Sequence, residues 1–227
     1  MNNFDIIKLV NAAVNRDFNT FAFTTDEYQT IINANSNKLF NRKLGLPEEY
    51  APNAPIPREG VSISRKNEQD LAPFFVRVTK SLATGLLDLT SENPAYIIGV
   101  MQSTVRKRGI DEVTFDELQE RLGNSLTEPT LDDPIMTRNS RYQFTVYPTS
   151  ISSVDVAYYK YPTDCVISIT ANATTNLPEY NAGGSTELEW DDINKITIAY
   201  MTIRDAGVAI ERNDVEQYAQ QLISTGS

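Results

Sequence analysis

The stretch Arg141 to Trp190 decides how the chain is read: Tyr142-Gln-Phe-Thr-Val-Tyr147-Pro148, then Val154-Asp-Val-Ala-Tyr-Tyr-Lys-Tyr161-Pro162, then Cys165 to Thr170, closing in Thr186-Glu-Leu-Glu-Trp190. Each run is rich in β-branched and aromatic residues, alternates roughly by two, and is cut by proline or an Asn/Gly cluster. Short antiparallel strands are predicted, and their succession reads as a small β-meander. Outward from it the periodicity changes. Phe4 to Val14 is an apolar-periodic helix, Phe18 to Phe23 a short link, and Thr24-Thr25-Asp26-Glu27 opens a second helix carrying Ile31, Ile32, Asn35, Leu39 and Phe40 before Gly45. Phe115 to Leu122 reads as a further helix. After Asp191 and Asp192, the residues Ile196, Ala199, Tyr200, Ile203, Ala206, Gly207 and Ile210 recur at three- and four-residue steps, predicting a long helix with one apolar stripe. The small Ala199, Ala206 and Gly207 on that stripe allow close packing against the N-terminal helix pair. Asn213-Asp214 reads as a break, and Val215, Tyr218, Ala219 and Leu222 as a short last helix that either folds back on its own domain or docks on a neighbour.

The fold class expected is therefore α+β in a single domain, 1–227, with N- and C-terminal helices forming a bundle and a small antiparallel sheet between them. Residues 1–60 hold the helix pair and a proline-rich arm, 61–190 are mostly β with one helix near 112–123, and 191–227 are the C-terminal helices. A chain of 227 residues with 41% apolar and 22% charged residues is long enough for one core and ordinary for a globular protein. No run reaches the length of a membrane span or signal peptide, so the chain is expected to stay in the cytoplasm where it is made.

Composition removes most chemistry. There is no histidine, which excludes His-dependent triads, His-metal sites and His acid–base schemes. Cys165 is the single cysteine, and its place in a strand run marks it as a small buried hydrophobe and not a reactive thiol. Gly183-Gly184 reads as a hairpin turn, not a phosphate loop. Carboxylates are what remain, since paired Asp or Glu can do acid–base work or hold magnesium: the candidates are Glu187, Glu189, Asp191 and Asp192. Their plainer reading is structural. Glu187 and Glu189 lie on one strand face with Leu188 and Trp190 on the other, and Asp191 and Asp192 sit where negative charge favours a helix start. No catalytic, cofactor-binding or metal-binding residue is assigned.

A formal charge of −10, from 30 acidic against 20 basic residues, argues against tight binding of nucleic acid. It is either a solvated acidic surface or the wall of a channel past which DNA slides without sticking. The basic cluster Arg106-Lys107-Arg108 is a solvated turn or a contact with an acidic neighbour. Leu46 to Arg58, with Pro47, Pro52, Pro55 and Pro57, cannot be helical and forms an extended arm, either lying along an adjacent subunit or unattached. Ala171 to Ser185 is a second candidate loop, long enough for a hairpin tip reaching a partner or a channel.

Taken in order, strand, Tyr-Pro, strand, Tyr-x-Tyr-Pro, acidic–aromatic strand end and long C-terminal helix, the chain resembles a virion structural family of crAss-like bacteriophages, ring-forming proteins of the portal and tail region. The N-terminal helices, with their Thr-x-x-Glu start and an end in an aromatic residue and Gly45, resemble the same family, as do the Asp70-Leu-Ala-Pro-Phe-Phe75 turn and the Phe115–Leu122 helix followed by Pro129 and Pro134. The link Asn15-Arg-Asp-Phe-Asn-Thr departs from it in lacking a glycine. The resemblance implies a head-to-tail connector: a homo-oligomeric ring of about twelve copies, touching the portal protein and other ring or tail proteins, with DNA passing through unbound, no membrane and no cofactor. A tail or tail-hub ring of the same virion is the first alternative, a carboxylate-dependent virion-associated hydrolase the second.

Overall fold

The computed structural model describes residues 1–14, 23–45, 65–103, 108–171, 178–209, 217 and 220–223. Most of the 18–23 link, the proline-rich arm, Arg106 and Lys107, residues 172–177 of the second candidate loop and the Asn213-Asp214 break lie outside them. The protein is mixed α and β, and the chain divides into two compact units: Met1–Pro73 with Pro162–Ser227 (unit 1), and Phe74–Tyr161 (unit 2).

Unit 1 holds helices α1 (Asn3–Val14), α2 (Thr25–Leu44), α3 (Arg65–Asp70) and, late in the chain, α5 (Asp192–Ala209). Helix α2 starts where its sequence predicts: the Thr24 hydroxyl accepts from the Glu27 N–H while Glu27 accepts from the Thr24 N–H, and Gly45 ends it in the left-handed region at φ 80°. Its buried residues Tyr28, Ile32, Asn35, Ser36, Leu39, Phe40 and Leu44 form one stripe at helical spacing. Helix α5 packs against both α1 and α2.

The buried face of α5 differs from the expected stripe. Ala199, Ile203, Ala206 and Gly207 are buried as predicted, but Ile196 is 41% exposed, and the interior takes Asn194, Lys195, Ile198, Met201 and Thr202 instead. The polar residues are tolerated because they are bonded: Thr202 donates to the Ile198 carbonyl and accepts from the Asn35 amide, and the Lys195 ammonium reaches the Met1 carbonyl at 3.1 Å. A periodicity that counts only apolar residues misplaces such a face.

Unit 2 holds strands β1 (Phe75–Ser81), β2 (Leu86–Asp88), β3 (Pro94–Gln102), β4 (Asp111–Glu112), β5 (Ile135–Arg138), β6 (Gln143–Tyr147) and β7 (Ser153–Lys160), with helix α4 (Phe115–Leu122) between β4 and β5. The first sheet runs β1-β7-β3 and the second β2-β6-β5-β4, antiparallel except for the parallel β4–β5 pair. The expected meander is therefore not formed. The runs at 142–148 and 154–162 become strands, but β6 and β7 pair in different sheets, because strands from residues 75–102, and β5 beside β6, supply their neighbours. Alternation says that a strand is half-buried and leaves its partner open.

Two-residue alternation on β5 and β6 gives the second sheet two unlike faces. Met136, Phe144 and Val146 join Leu87, Val100, Val154, Val156 and Tyr158 in the main core of the unit. Ile135 and Tyr147 point the other way and pack with Val113, before α4, and Leu118 of α4. The chain passes from the first sheet to the second through Thr84 and Gly85, both at positive φ (52° and 81°). A Cβ on Gly85 would lie 2.7 Å from the Val146 carbonyl oxygen, so glycine is required there twice over.

Residues 162–190, grouped by their sequence with the β third, belong to unit 1. Among the described residues there, a short antiparallel pair forms, β8 (Ile169–Ala171) with β9 (Pro178–Tyr180). Gly183 and Gly184 lie in a 3-10 turn after β9 and not at the hairpin tip. Thr186 to Trp190 is not a strand; Thr186 makes a single bridge to Val166.

Candidate functional site

Hydrogen-bonding side chains hold the 162–190 segment in place of a sheet. Asn33 takes both backbone groups of Cys165, accepting from its N–H at 2.8 Å and donating to its carbonyl at 3.2 Å. Gln29 accepts from the Ile167 N–H, and Asn3 donates to the Thr186 carbonyl while accepting from the Leu188 N–H. The Trp190 indole donates to the Ser36 hydroxyl at 2.8 Å inside the unit.

The acidic residues singled out above belong to this same fastening. Glu187 accepts from the Asn3 N–H at 2.9 Å and from the Tyr180 hydroxyl. Glu189 accepts from the Thr163 N–H. Asp191 caps α5 by accepting from the Asn194 N–H at 2.9 Å, and Asp192 pairs with the N-terminal ammonium at 2.9 Å, which holds its carboxyl below the usual range. The alternation of Leu188 and Trp190 buried against the half-buried Glu187 and Glu189 is found, without the strand. Burial pushes the Tyr180 phenol up, with its bond to Glu187 adding to the effect. Cys165 is buried and its thiol is raised to about 12, chiefly by desolvation and then by Asp164 and Glu187, so it stays protonated. Among the described residues no group of three His, Cys, Asp or Glu could hold a metal ion, and no helix is long and apolar enough to cross a membrane.

A recess in unit 2 was not legible in the sequence. A cleft of about 480 Å³ runs beside the outer edge of β3, lined by Tyr96, Ile98, Gly109, Glu112, Arg138 and Arg141 among others. Strand β3 is an edge strand, and among the described residues the returning chain bonds to that edge near its end, where Ile110 donates to the Val100 carbonyl and Gln102 to the Arg108 carbonyl. Tyr96 and Ile98 are 50% and 46% exposed. Arg138 is committed within the chain: Nε and Nη2 fork onto Glu112 at 2.8 and 3.0 Å, Nη1 donates to the Arg141 carbonyl, and the guanidinium lies 4.6 Å from the Phe144 ring centre. Its bonds to Glu112 raise its pKa against the opposing effect of burial. Arg141 lies over Tyr142 at 5.1 Å and donates to the Tyr161 hydroxyl at 3.4 Å, and is exposed. Such a surface offers shape, exposed aromatic and aliphatic area, and one arginine, Arg141, beside Asp111 and the Glu112–Arg138 pair. Its only sequence signal was the alternating run Tyr96-Ile-Ile98-Gly-Val100, in which no partner could be seen.

In comparison with known proteins, the chain matches no family model and no curated relative.

Proposed function

We propose that this chain is a virion structural protein of a crAss-like, short-tailed phage: a ring-forming head-to-tail connector between portal and tail, with α1, α2 and α5 as its helical bundle and the acidic net charge turned to a DNA channel. Its partners are then further copies of itself, about twelve to a ring, the portal, and the ring or tail proteins below.

The observation that carries the reading is that its most enzyme-like residues are spent on architecture. Glu187, Glu189, Asp191 and Asp192 each accept a bond from a backbone amide, a hydroxyl or the N-terminal ammonium within unit 1. What remains to act is surface. The order of elements that bears the resemblance supports it too: the Thr24–Glu27 capping box, the Gly45 helix end, α4, and α5 following an acidic–aromatic segment. Rings of this kind need heterologous contacts that close by rotation, each burying more than roughly 1,000 Å².

Reconstruction of purified particles tests it. Density for a closed ring of this chain beneath the portal is expected; a chain that never co-purifies with capsid or portal overturns the reading. Changing Glu189→Gln, Asp191→Asn and Asp192→Asn together should leave assembly intact, and a hydrolytic turnover lost in that variant would favour an enzyme instead.

A further inference from the structure

Helix α4 and the loop after it present a second exposed apolar surface. Phe115 and Leu122, on the same side of the helix seven residues apart, are 66% and 48% exposed, and Leu126 and Leu131 are 92% and 46% exposed. Large side chains concentrated in this way on a solvent face mark a docking surface. The loop presenting them is internally bonded: Leu126 N–H donates to the Asn124 side chain at 3.0 Å, and Thr130 and Asp133 exchange backbone bonds at 3.3 Å.

The surface is also strongly acidic. From Phe115 to Asp133 there are six acidic residues and one basic residue, Arg121, which is occupied by Glu117 and Asp133. Its complement is an apolar surface bordered by arginine, and the chain carries one: the β3 cleft, with Tyr96 and Ile98 exposed beside Arg141, and with exposed Arg108 just before its lining residue Gly109. Two acids line that cleft: Glu112 is paired with Arg138, and Asp111 is outnumbered by the exposed Arg141 and Arg108.

The placement of the two surfaces follows from strand parity. Leu118 fastens α4 to the Ile135 and Tyr147 face of the second sheet, whereas Met136 and Arg138, one and three residues further along β5, lie on the opposite face with the cleft. Two unlike, complementary surfaces on opposite sides of one sheet cannot both be used in a twofold pair; they suit head-to-tail addition of copies.

We propose that copies of this chain join head to tail through unit 2, the acidic and apolar α4 surface around Phe115, Leu122 and Leu126 of one copy seating on the β3-edge cleft of the next, against Tyr96, Ile98 and Arg141. This rests on the ring reading above and names the surfaces that would close the ring.

The test mixes full-length Leu126→Cys chains with full-length Tyr96→Cys chains, each checked for folding by circular dichroism, under mild oxidation at up to about 1 mM protein, enough to populate a millimolar contact. Cys165 stays silent because it is buried and protonated. A disulfide-linked dimer is expected in the mixture at least tenfold above either variant alone, weakening as salt screens the charges, and reduced in a chain that also carries Arg141→Glu. Cross-linking of one variant with itself means a twofold contact and overturns the proposal. Copies that associate, in solution or in the particle, without the Leu126–Tyr96 link overturn it and leave the ring reading standing. The link found without any ring in the particle keeps this contact and removes the ring, and an absence of both removes both.

Discussion

Unit 1 closes on side-chain amides, with Asn3, Asn33 and Gln29 each gripping the backbone of residues 163–190, whereas unit 2 closes on main-chain ladders, seven residues of β1 and most of β3 paired to the two edges of β7. Both arrangements satisfy the same need, since a buried N–H or carbonyl must find a partner. They differ in what they demand of the sequence. A ladder uses groups that every residue carries and asks only that apolar side chains alternate, while an amide bracket works only if one asparagine stands at one position of a helix facing one residue of the segment.

The largest effect that would sharpen this contrast comes from the core of unit 2. Phe144 is fully buried between β2 and β5, and Phe144→Ala should cost about 3–5 kcal/mol, read by denaturant unfolding, with early loss of hydrogen-exchange protection in β5 to β7. Protection lost first in α1 and α2 would break the comparison. Next is Asn33→Ala, which strands the Cys165 N–H and carbonyl at once and should cost about 2–3 kcal/mol, while Asn33→Asp keeps the acceptor and should lose less. If Asn33→Ala costs no more than a surface change, the brackets are ornaments and the helices alone hold unit 1.

Smaller again is Gly85→Ala, which places a methyl against the Val146 carbonyl at a positive φ and should cost about 1–3 kcal/mol, read in unit 2 by the same exchange pattern. The least is a pH effect. The Lys80 ammonium bonds Glu92 and holds its carboxyl below the ordinary 4.5. The unfolded chain therefore takes up that proton more readily, so the pair's contribution is complete above pH 4.5 and is lost as pH falls through the lower folded value. Lys80→Met should flatten that part of the acid limb in midpoints measured against pH; an unchanged limb would show that the pair contributes nothing there.

The same contrast explains how much was legible. Helix α2 could be placed to the residue because its signals are local: Thr24 and Glu27 three positions apart, and a glycine where the helix stops. β6 and β7 were visible from their alternation, but their sheets were not, since their partners lie in residues 75–102 and 135–138. The segment 186–190 showed the right burial alternation and the wrong secondary structure: Thr186 bridges Val166, and Asn3, from the other end of the chain, takes the Thr186 carbonyl and the Leu188 N–H. Of the candidate sites, the acidic group was visible and turned out to be structural, while the β3 cleft was hidden because it forms only where Arg138 and Arg141 meet an edge strand forty residues earlier in the chain.

By itself, then, the sequence determined what depends on neighbours along the chain: the helix starts and stops, the alternating strands, the absence of histidine chemistry and the acidic charge. Tertiary structure alone decided which strands share a sheet, which face of α5 is buried and where aromatic residues and arginines converge, because those are outcomes of pairing between distant residues, and a local pattern records that a group needs a partner without recording which one.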